Sequence, residues 1–257
     1  MIKASKTLLF LLTGLLAFAP LAVQAQEPGN IAEMWSMVPK ADKREAFFEG
    51  LKEHMQVRTD AGDPWKWYTY TPMLGDELDR VAVRHCCFNW EDKDAYEKWS
   101  KENPEVQEHW SKAVDPYVES YAHYFDNVSW ANSNMKSEWG PYRFYKVTEF
   151  TLHSGMASKF DAARDKVSQI ALNQGWATED RPWLWSVTIG GEAKERIITP
   201  LKNYADMEPT GQTFFNFLSG VLGSDEKAEK VLQELTSTID SQETQIWELH
   251  KDLSMAD

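Results

Sequence analysis

Three histidines occupy the positions in this sequence that are best suited to acid–base chemistry. His85 lies in an alternating run of apolar and polar residues, 80–89, that predicts a β-strand. His123 and His250 lie in the runs that predict the last strand of each half of the chain. Because an imidazole titrates near neutral pH and can bind haem iron, each is a candidate base, hydrogen-bond donor or axial ligand. A histidine with a single structural hydrogen bond fits the same three positions.

His85 is the strongest of these candidates. Its strand is predicted to pair with the preceding strand, which would bring the ring close to Trp67 or Tyr68. We therefore expect a buried imidazole that titrates near neutral pH. The neighbouring Arg84 faces the opposite way along the strand and is predicted to form an ion pair at the surface.

The other histidines and the known short motifs point to no further chemistry. His54, His109 and His153 have charged neighbours on predicted helices or strand ends, so we expect all three on solvated faces. The sequence contains no zinc-protease motif, nucleophile elbow, phosphate-binding loop or dinucleotide fingerprint. A hydrolase, a nucleotide-dependent enzyme and a zinc enzyme are therefore not favoured, and no metal site is predicted.

Tryptophan is the second unusual feature, with 12 residues in a chain of 257. The segment 63–67, Asp-Pro-Trp-Lys-Trp, returns at 181–185 as Arg-Pro-Trp-Leu-Trp. Alternation along a strand places the repeated indoles on equivalent sheet faces. If those faces line a barrel interior, the rings can stack on a flat ligand; if they face helices, they are ordinary core. The predicted ligand-binding residues are Trp65, Trp67, Trp183 and Trp185, together with Tyr68.

The two cysteines, Cys86 and Cys87, are adjacent. Neighbouring side chains on a strand point to opposite faces, which disfavours an ordinary disulfide. Two buried thiols are the preferred interpretation, and a disulfide between the two neighbours is the alternative.

The elements that must position these residues follow the same order twice. In the first half, a short strand (31–38) and an amphipathic helix (43–58) precede a strand hairpin, a helical stretch and a fourth strand. The second half repeats this order β-α-β-β-α-β, which is that of the ferredoxin-like unit. We therefore predict an α+β fold with one ferredoxin-like unit at 26–130, a linker at 131–142 and a second unit at 143–257.

Two ferredoxin-like units in tandem resemble the dimeric α+β barrel superfamily in fused form. That superfamily includes antibiotic-biosynthesis-monooxygenase-like and NIPSNAP-like proteins and the chlorite-dismutase and haem-degrading branches. The resemblance rests on element order and aromatic strands, and it covers nearly all of the chain after residue 25. It implies a pseudo-dimeric α+β barrel, in which two four-stranded sheets enclose a cavity for an aromatic, polyketide-like or haem ligand. It assigns no residue of this chain to a family role.

The start of the chain and its charge indicate where the protein works. Residues 1–25 combine a basic start, an apolar run and a Val-Gln-Ala cleavage site, which predicts a signal peptide cleaved near Ala25. We therefore expect a soluble protein in the periplasm or secreted, with no stable membrane insertion. The net charge of −13 argues against nucleic acid or an anionic membrane as a partner.

These observations favour an exported protein that binds a small apolar or aromatic molecule in an aromatic-lined cavity. Two alternatives stay open. One is a cofactor-free oxygenase or a haem-linked enzyme that uses His85, His123 or His250. The other is an interaction module in which exposed sheet edges pair with a second copy to give a homo-oligomer.

Overall fold

The computed structural model describes residues 29–135, 141–208 and 211–255. The strands are β1 (Ile31–Pro39), β2 (Tyr68–Leu74), β3 (Val81–Phe88), β4 (Val118–Val128), β5 (Phe144–Leu152), β6 (Leu184–Ile189), β7 (Glu195–Leu201) and β8 (Ile239–His250). The helices are α1 (Arg44–Asp60), α2 (Trp90–Glu102), α3 (Pro104–Ala113), α4 (Ala157–Asn173), α5 (Phe214–Leu222) and α6 (Asp225–Thr236). The predicted signal peptide and part of the predicted linker lie outside the described residues.

The eight strands form a closed, antiparallel barrel in the order β1-β3-β2-β8-β5-β7-β6-β4. The first half contributes β4-β1-β3-β2 and the second contributes β8-β5-β7-β6, so both halves have the ferredoxin-like strand order. The pairs β2–β8 and β4–β6 join the two halves. The predicted α+β barrel is therefore confirmed, while the boundaries of the two units stay a prediction.

Amphipathic helices cover the outer face of each half. On α1, Phe47, Leu51 and Met55 recur at every fourth position and are almost completely buried against the first sheet. On α4, Phe160 and Ala171 pack in the same way against the second sheet. This apolar spacing is the pattern from which both helices were predicted.

The structure departs from the sequence-based prediction at two strands. Trp65 and Trp67, predicted to lie on a strand, precede β2, which begins at Tyr68. In β3, Ala32 of β1 pairs with Cys86 and Ile31 pairs with Phe88, so Cys87 is left out of the register. Phe88 consequently faces the helices, not the barrel interior as alternation predicts.

The two cysteines form a disulfide with each other. The preferred interpretation of two buried thiols is therefore wrong, and the alternative is correct. Cys86 packs in a small apolar cluster with Ala32, Val128 and Leu184.

Closure of the barrel also limits how the strands could pair with a second copy of the protein. Each of the eight described strands has a neighbour on both sides, so these strands offer no open edge for a second copy. The oligomeric state stays a prediction. Among the described helices, none is long and apolar enough to cross a membrane.

Candidate ligand-binding sites

The repeated tryptophans lie between the sheets and the helices, not inside the barrel. Trp65 and Trp67 belong to the core beneath α1, and Trp183 and Trp185 belong to the core beneath α4. All four are at least 93% buried. The interpretation in which they line the barrel interior is therefore wrong, although three of them border the cavities described below. Tyr68 packs on the other face of the sheet, in the cluster around Tyr70 and Tyr145.

The interior of the barrel holds a charge network and a cavity of about 80 Å³. Asp126 on β4 forms ion pairs with Arg84 of the first half and Arg196 of the second, and Arg196 also binds Glu149. Asp126 is 1% exposed and Arg84 is 5% exposed. The predicted surface ion pair of Arg84 is therefore wrong, because the barrel encloses that face of β3. This small cavity has no room for the flat ligand that the resemblance implies.

A larger cavity, of about 710 Å³, lies between the second sheet and its helices, and we call it the second-half cavity. Its walls are mostly apolar and aromatic, with Val167, Ala171, Trp176, Trp183, Trp185, Ile197, Leu201 and Phe214 among them. Ser168 is 2% exposed, also faces the cavity, and its hydroxyl has no hydrogen-bond partner among the described residues. The guanidinium of Arg181 lies 4.1 Å from the centroid of the Trp176 ring, within range of a cation–π interaction.

A third cavity, of about 490 Å³, occupies the equivalent position between the first sheet and its helices, and we call it the first-half cavity. It has aromatic walls and many more polar groups. Its lining includes Trp35, Trp67, Tyr96, Trp110 and Tyr121, and the ionisable or polar residues Glu33, His54, Arg58, Lys93, Glu97, Gln107 and Asp115.

A buried carboxylate, Glu33, organises one wall of the first-half cavity. It is 2% exposed and accepts hydrogen bonds from Lys93 Nζ at 2.7 Å and from Trp35 Nε1 at 3.2 Å. His123 Nε2 lies 2.9 Å from the same carboxylate, and its ring stacks on Trp35. Burial by itself raises the pKa of Glu33, but the bonds from His123 and Lys93 outweigh it and hold the pKa below its usual value.

A second chain of polar contacts, Asp63–Arg58–His54, contributes Arg58 and His54 to the lining of this cavity. Arg58 makes an ion pair with the buried Asp63 and donates from Nε to His54 Nε2 over 2.9 Å. His54 is fully buried, so its predicted solvated position is wrong. Burial, reinforced by the Arg58 cation, lowers the pKa of His54 to about 2, and the ring is neutral.

The three candidate histidines of the sequence do not converge on one site. His85 is buried, stacks on Trp65 at 4.5 Å and bonds through Nδ1 to the carbonyl of Lys66 at 2.9 Å. Burial lowers the pKa of His85 to about 4, so it does not titrate near neutral pH as predicted. His123 forms a side-chain hydrogen bond with Glu33, and His85 lies opposite Glu33 in the β1–β3 pairing. His250 Nε2 lies 2.7 Å from the hydroxyl of Thr71 on β2.

Neither large cavity offers an obvious haem site. Among the described residues that line the second-half cavity, none is His, Cys or Met, and Tyr142 is of a type that can ligate haem iron. In the first-half cavity, His54 already accepts a hydrogen bond from Arg58 on one ring nitrogen. Within the described part of the chain, no group of three or more His, Cys, Asp or Glu residues is placed to hold a metal ion.

Comparisons with known proteins agree with this architecture. No protein-family model and no curated protein matches the sequence. A proposed monooxygenase from Lactobacillus acidophilus superposes with a TM-score of 0.55 and 8% identity, covering 88% of this chain and 95% of its own. A mutant chlorite dismutase from Candidatus Nitrospira defluvii superposes with a TM-score of 0.52 and 9% identity, covering 87% and 93%. At such low identity these likenesses show a shared α+β barrel fold and nothing about activity.

Proposed function

We propose that the protein binds a small, flat and predominantly apolar molecule in the second-half cavity. The supporting observation is a cavity of about 710 Å³ whose walls carry Trp176, Trp183, Trp185 and Phe214. Ligand pockets commonly have volumes of roughly 300–1,000 Å³ and are lined mainly by apolar and aromatic side chains. Aromatic rings in such walls favour a planar partner because they stack face to face or edge to face with it.

The mouth of this cavity favours an uncharged ligand. The rim carries two cations, Arg181 and Lys202, and three exposed carboxylates, Glu179, Asp180 and Asp206. Because both signs are present at the opening and Lys202 pairs with Asp180, no strong field of a single sign attracts an anion or a cation. The charged rim keeps the opening hydrated while the interior stays apolar. With the signal peptide predicted at residues 1–25, we propose that binding takes place in the periplasm or outside the cell.

The alternative functions receive less support. Haem receives less support in the second-half cavity, because the described lining carries no His, Cys or Met and offers Tyr142 as the axial ligand. A cofactor-free oxygenase activity rests on the resemblance alone, since the similar structures share only about a tenth of their residues with this chain. An interaction module built on open sheet edges is disfavoured by the closed barrel.

The proposal is tested with N-phenyl-1-naphthylamine, an uncharged flat fluorophore that accepts energy from tryptophan. We expect saturable binding with energy transfer. The variant Ala171→Leu places a larger side chain into the cavity from α4, where Ala171 is 3% exposed. It should remove one bound fluorophore per chain, because the added methyl groups occupy the ligand volume, and should leave the protein folded.

Ala162→Leu is the matched control, because Ala162 lies on the exposed side of the same helix. It should bind as many fluorophores per chain as the wild type. Thermal unfolding of both variants, followed by circular dichroism, separates loss of binding from loss of the fold. An unchanged stoichiometry in folded Ala171→Leu, or no saturable binding by the wild type, contradicts the proposal.

A further inference from the structure

Three aromatic rings meet at steep angles in the solvent-facing part of the first-half cavity. Trp35 on β1 and Tyr121 on β4 stand at 87° to each other, with ring centroids 6.4 Å apart. Trp110 on α3 is inclined by 47° to Tyr121, with centroids 6.5 Å apart. All three line the cavity, and Tyr121 is 42% exposed. We call these three rings the aromatic corner, because they present surfaces in different directions to a molecule that enters from solvent.

Polar contacts hold two of these rings in place. Tyr121 donates from its hydroxyl to Asp115 Oδ1 over 2.6 Å, and Trp35 donates from Nε1 to Glu33 over 3.2 Å. His123 also stacks on Trp35, with ring centroids 3.9 Å apart. Because these contacts orient the rings within the protein itself, little side-chain freedom remains to be lost when a ligand binds.

The charges around this cavity leave an excess of carboxylates. Its two cations, Lys93 and Arg58, are each paired with a buried acid. Two further lining carboxylates, Glu97 and Asp115, are exposed and form no ion pair with a described residue. An anion would therefore gain no unpaired cation here, whereas a cation would gain two carboxylates. The mixed charges at the opening of the second-half cavity provide no such preference.

The first half already holds one ammonium group against aromatic rings. The Nζ atom of Lys93 lies 5.2 Å from the ring centroid of Trp65, 5.4 Å from that of Tyr96 and 5.6 Å from that of Phe125. At such distances the electron-rich face of a ring attracts a cation. The aromatic corner offers the same kind of surface to a cation that arrives from solvent.

A quaternary ammonium group is the cation that suits these walls best. It has no N–H donors, so it needs no hydrogen-bond acceptor and is less strongly hydrated than the ammonium of a lysine. Rings set at steep angles can contact several of its methyl groups at once. The cavity, at about 490 Å³, has room for such a compact group with a short polar tail.

We propose that the aromatic corner of the first-half cavity binds a trimethylammonium compound, with Glu97 and Asp115 providing the opposite charge. The proposal does not rest on the proposed function, since the two cavities share no lining residue and the ligands differ in charge. The trimethylammonium group is common to small solutes such as choline and to the phosphocholine headgroups of lipids.

The test compares choline with 3,3-dimethyl-1-butanol, an uncharged molecule of the same shape in which carbon replaces the quaternary nitrogen. Both are titrated into the full wild-type chain by calorimetry. We expect choline to bind about tenfold more tightly, the effect of a cation held against aromatic rings. In ¹⁵N-labelled protein, choline should shift the indole N–H resonances of Trp35 and Trp110. The resonance of Trp90, which is 49% exposed and lies outside the cavity lining, should stay in place.

Asp115→Asn removes a charge but keeps an acceptor for the Tyr121 hydroxyl. It should weaken choline binding about two- to fivefold and leave binding of the alcohol unchanged. The matched control is Asp94→Asn, which removes an exposed carboxylate of α2 outside the cavity lining and should bind choline as the wild type does.

Trp110→Leu removes one ring and keeps an apolar side chain, so it should weaken choline binding about three- to tenfold. Trp90→Leu is its control and should bind choline normally. Circular dichroism establishes that each variant is folded. Because Asp115 is exposed, Asp115→Asn keeps the proposal testable even where Trp110→Leu does not fold.

Equal affinity of the wild type for choline and the alcohol, or no saturable choline binding, overturns the proposal. An equal loss in Asp94→Asn and Asp115→Asn also overturns it, because the attraction would then come from the net charge alone. Sedimentation with phosphatidylcholine vesicles identifies the source. Choline binding with sedimentation supports a lipid headgroup, and choline binding without it supports a free solute. The fluorophore assay reports on the other cavity, so either proposal can fail alone.

Discussion

The two Pro-Trp-x-Trp segments differ in the residue before the proline, which is acidic in the first half and basic in the second. The cavities beside them differ in the polarity of their walls. In the first half this residue is Asp63, which is buried and pairs with Arg58 in the wall of the cavity. In the second half it is Arg181, which stays at the rim and lies over the Trp176 ring. The carboxylate at position 63 holds the Arg58 cation in the cavity wall, whereas the arginine at position 181 covers an aromatic ring at the rim.

The backbone therefore fixes where each cavity lies, while a few polar side chains decide which ligands the cavity can bind. Both halves place an opening between a four-stranded sheet and its helices. The first half places buried, connected polar groups in its walls, at Glu33 and at His54, whereas the connected charges of the second-half cavity are exposed at Asp180, Lys202 and Asp206. The same architecture therefore offers one mostly apolar cavity and one with many polar side chains in its walls.

The largest expected effect is on the stability of the whole barrel, which carries both cavities. Asp126→Asn removes the carboxylate charge that holds Arg84 and Arg196 inside the barrel, where all three are at least 93% buried. Loss of one partner of a buried ion pair typically costs about 3–5 kcal/mol, so we expect that loss in the free energy of unfolding in urea. Asp240→Asn, at an exposed pair with His153, should change it by less than about 0.5 kcal/mol.

The next prediction concerns the first half alone. A Cβ added at Gly50 on α1 would overlap the backbone carbonyl of Ala113 on α3. Gly50→Ala should therefore push these helices apart and destabilise the protein by about 1–3 kcal/mol. Fluorophore binding in the second-half cavity should persist.

Gly220→Ala is the control for that change. Gly220 lies inside α5 with open space where a Cβ would be, so alanine should be neutral or stabilise the helix by up to about 1 kcal/mol. Equal stabilities for the two variants would show that α1 and α3 do not pack as closely as described.

The smallest expected effect is the pH dependence of stability, which has opposite signs for one buried group in each half. Burial raises the pKa of Glu195 in the second half to about 7, so the folded state binds more protons than the unfolded state between about pH 4.5 and 7. Stability contributed by the neutral carboxyl is lost as pH rises through that window. His85 in the first half acts oppositely, because burial lowers its pKa to about 4 and stability is lost as pH falls from about 6.5.

Glu195→Gln should raise the free energy of unfolding at pH 7 by about 1–2 kcal/mol, with little change at pH 4.5. Urea titrations at both pH values measure this difference. Glu192→Gln, at a strongly exposed carboxylate nearby, should give no difference between the two pH values. A gain of the same size at both pH values would contradict the role assigned to Glu195.

Much of the fold could be predicted because its signals are periodic. The spacing of Phe47, Leu51 and Met55 predicts α1, and the repeated Pro-Trp-x-Trp segment indicates two units of the same order. Alternation, however, defines two faces of a strand without saying which one meets the helices. The location of the tryptophans therefore depended on the tertiary packing, which no local pattern contains.

The candidate sites were less predictable because they depend on pairs far apart in the sequence. His54 was expected in solvent on account of its charged neighbours, yet it lies three residues after Leu51 and so belongs to the buried stripe of α1. Glu33 carried a usable signal, since a carboxylate within a short apolar strand needs buried partners. Its partners Lys93 and His123 are 60 and 90 residues away.

Closure of the barrel within a single chain has a consequence for how the two sites can change. When two identical subunits complete a ring, every substitution occurs twice and both sites change together. Here β2–β8 and β4–β6 join halves of different sequence, so an acid at position 63 does not require an acid at position 181. Freed from that symmetry constraint, each half can adapt to its own ligand while the other maintains the ring.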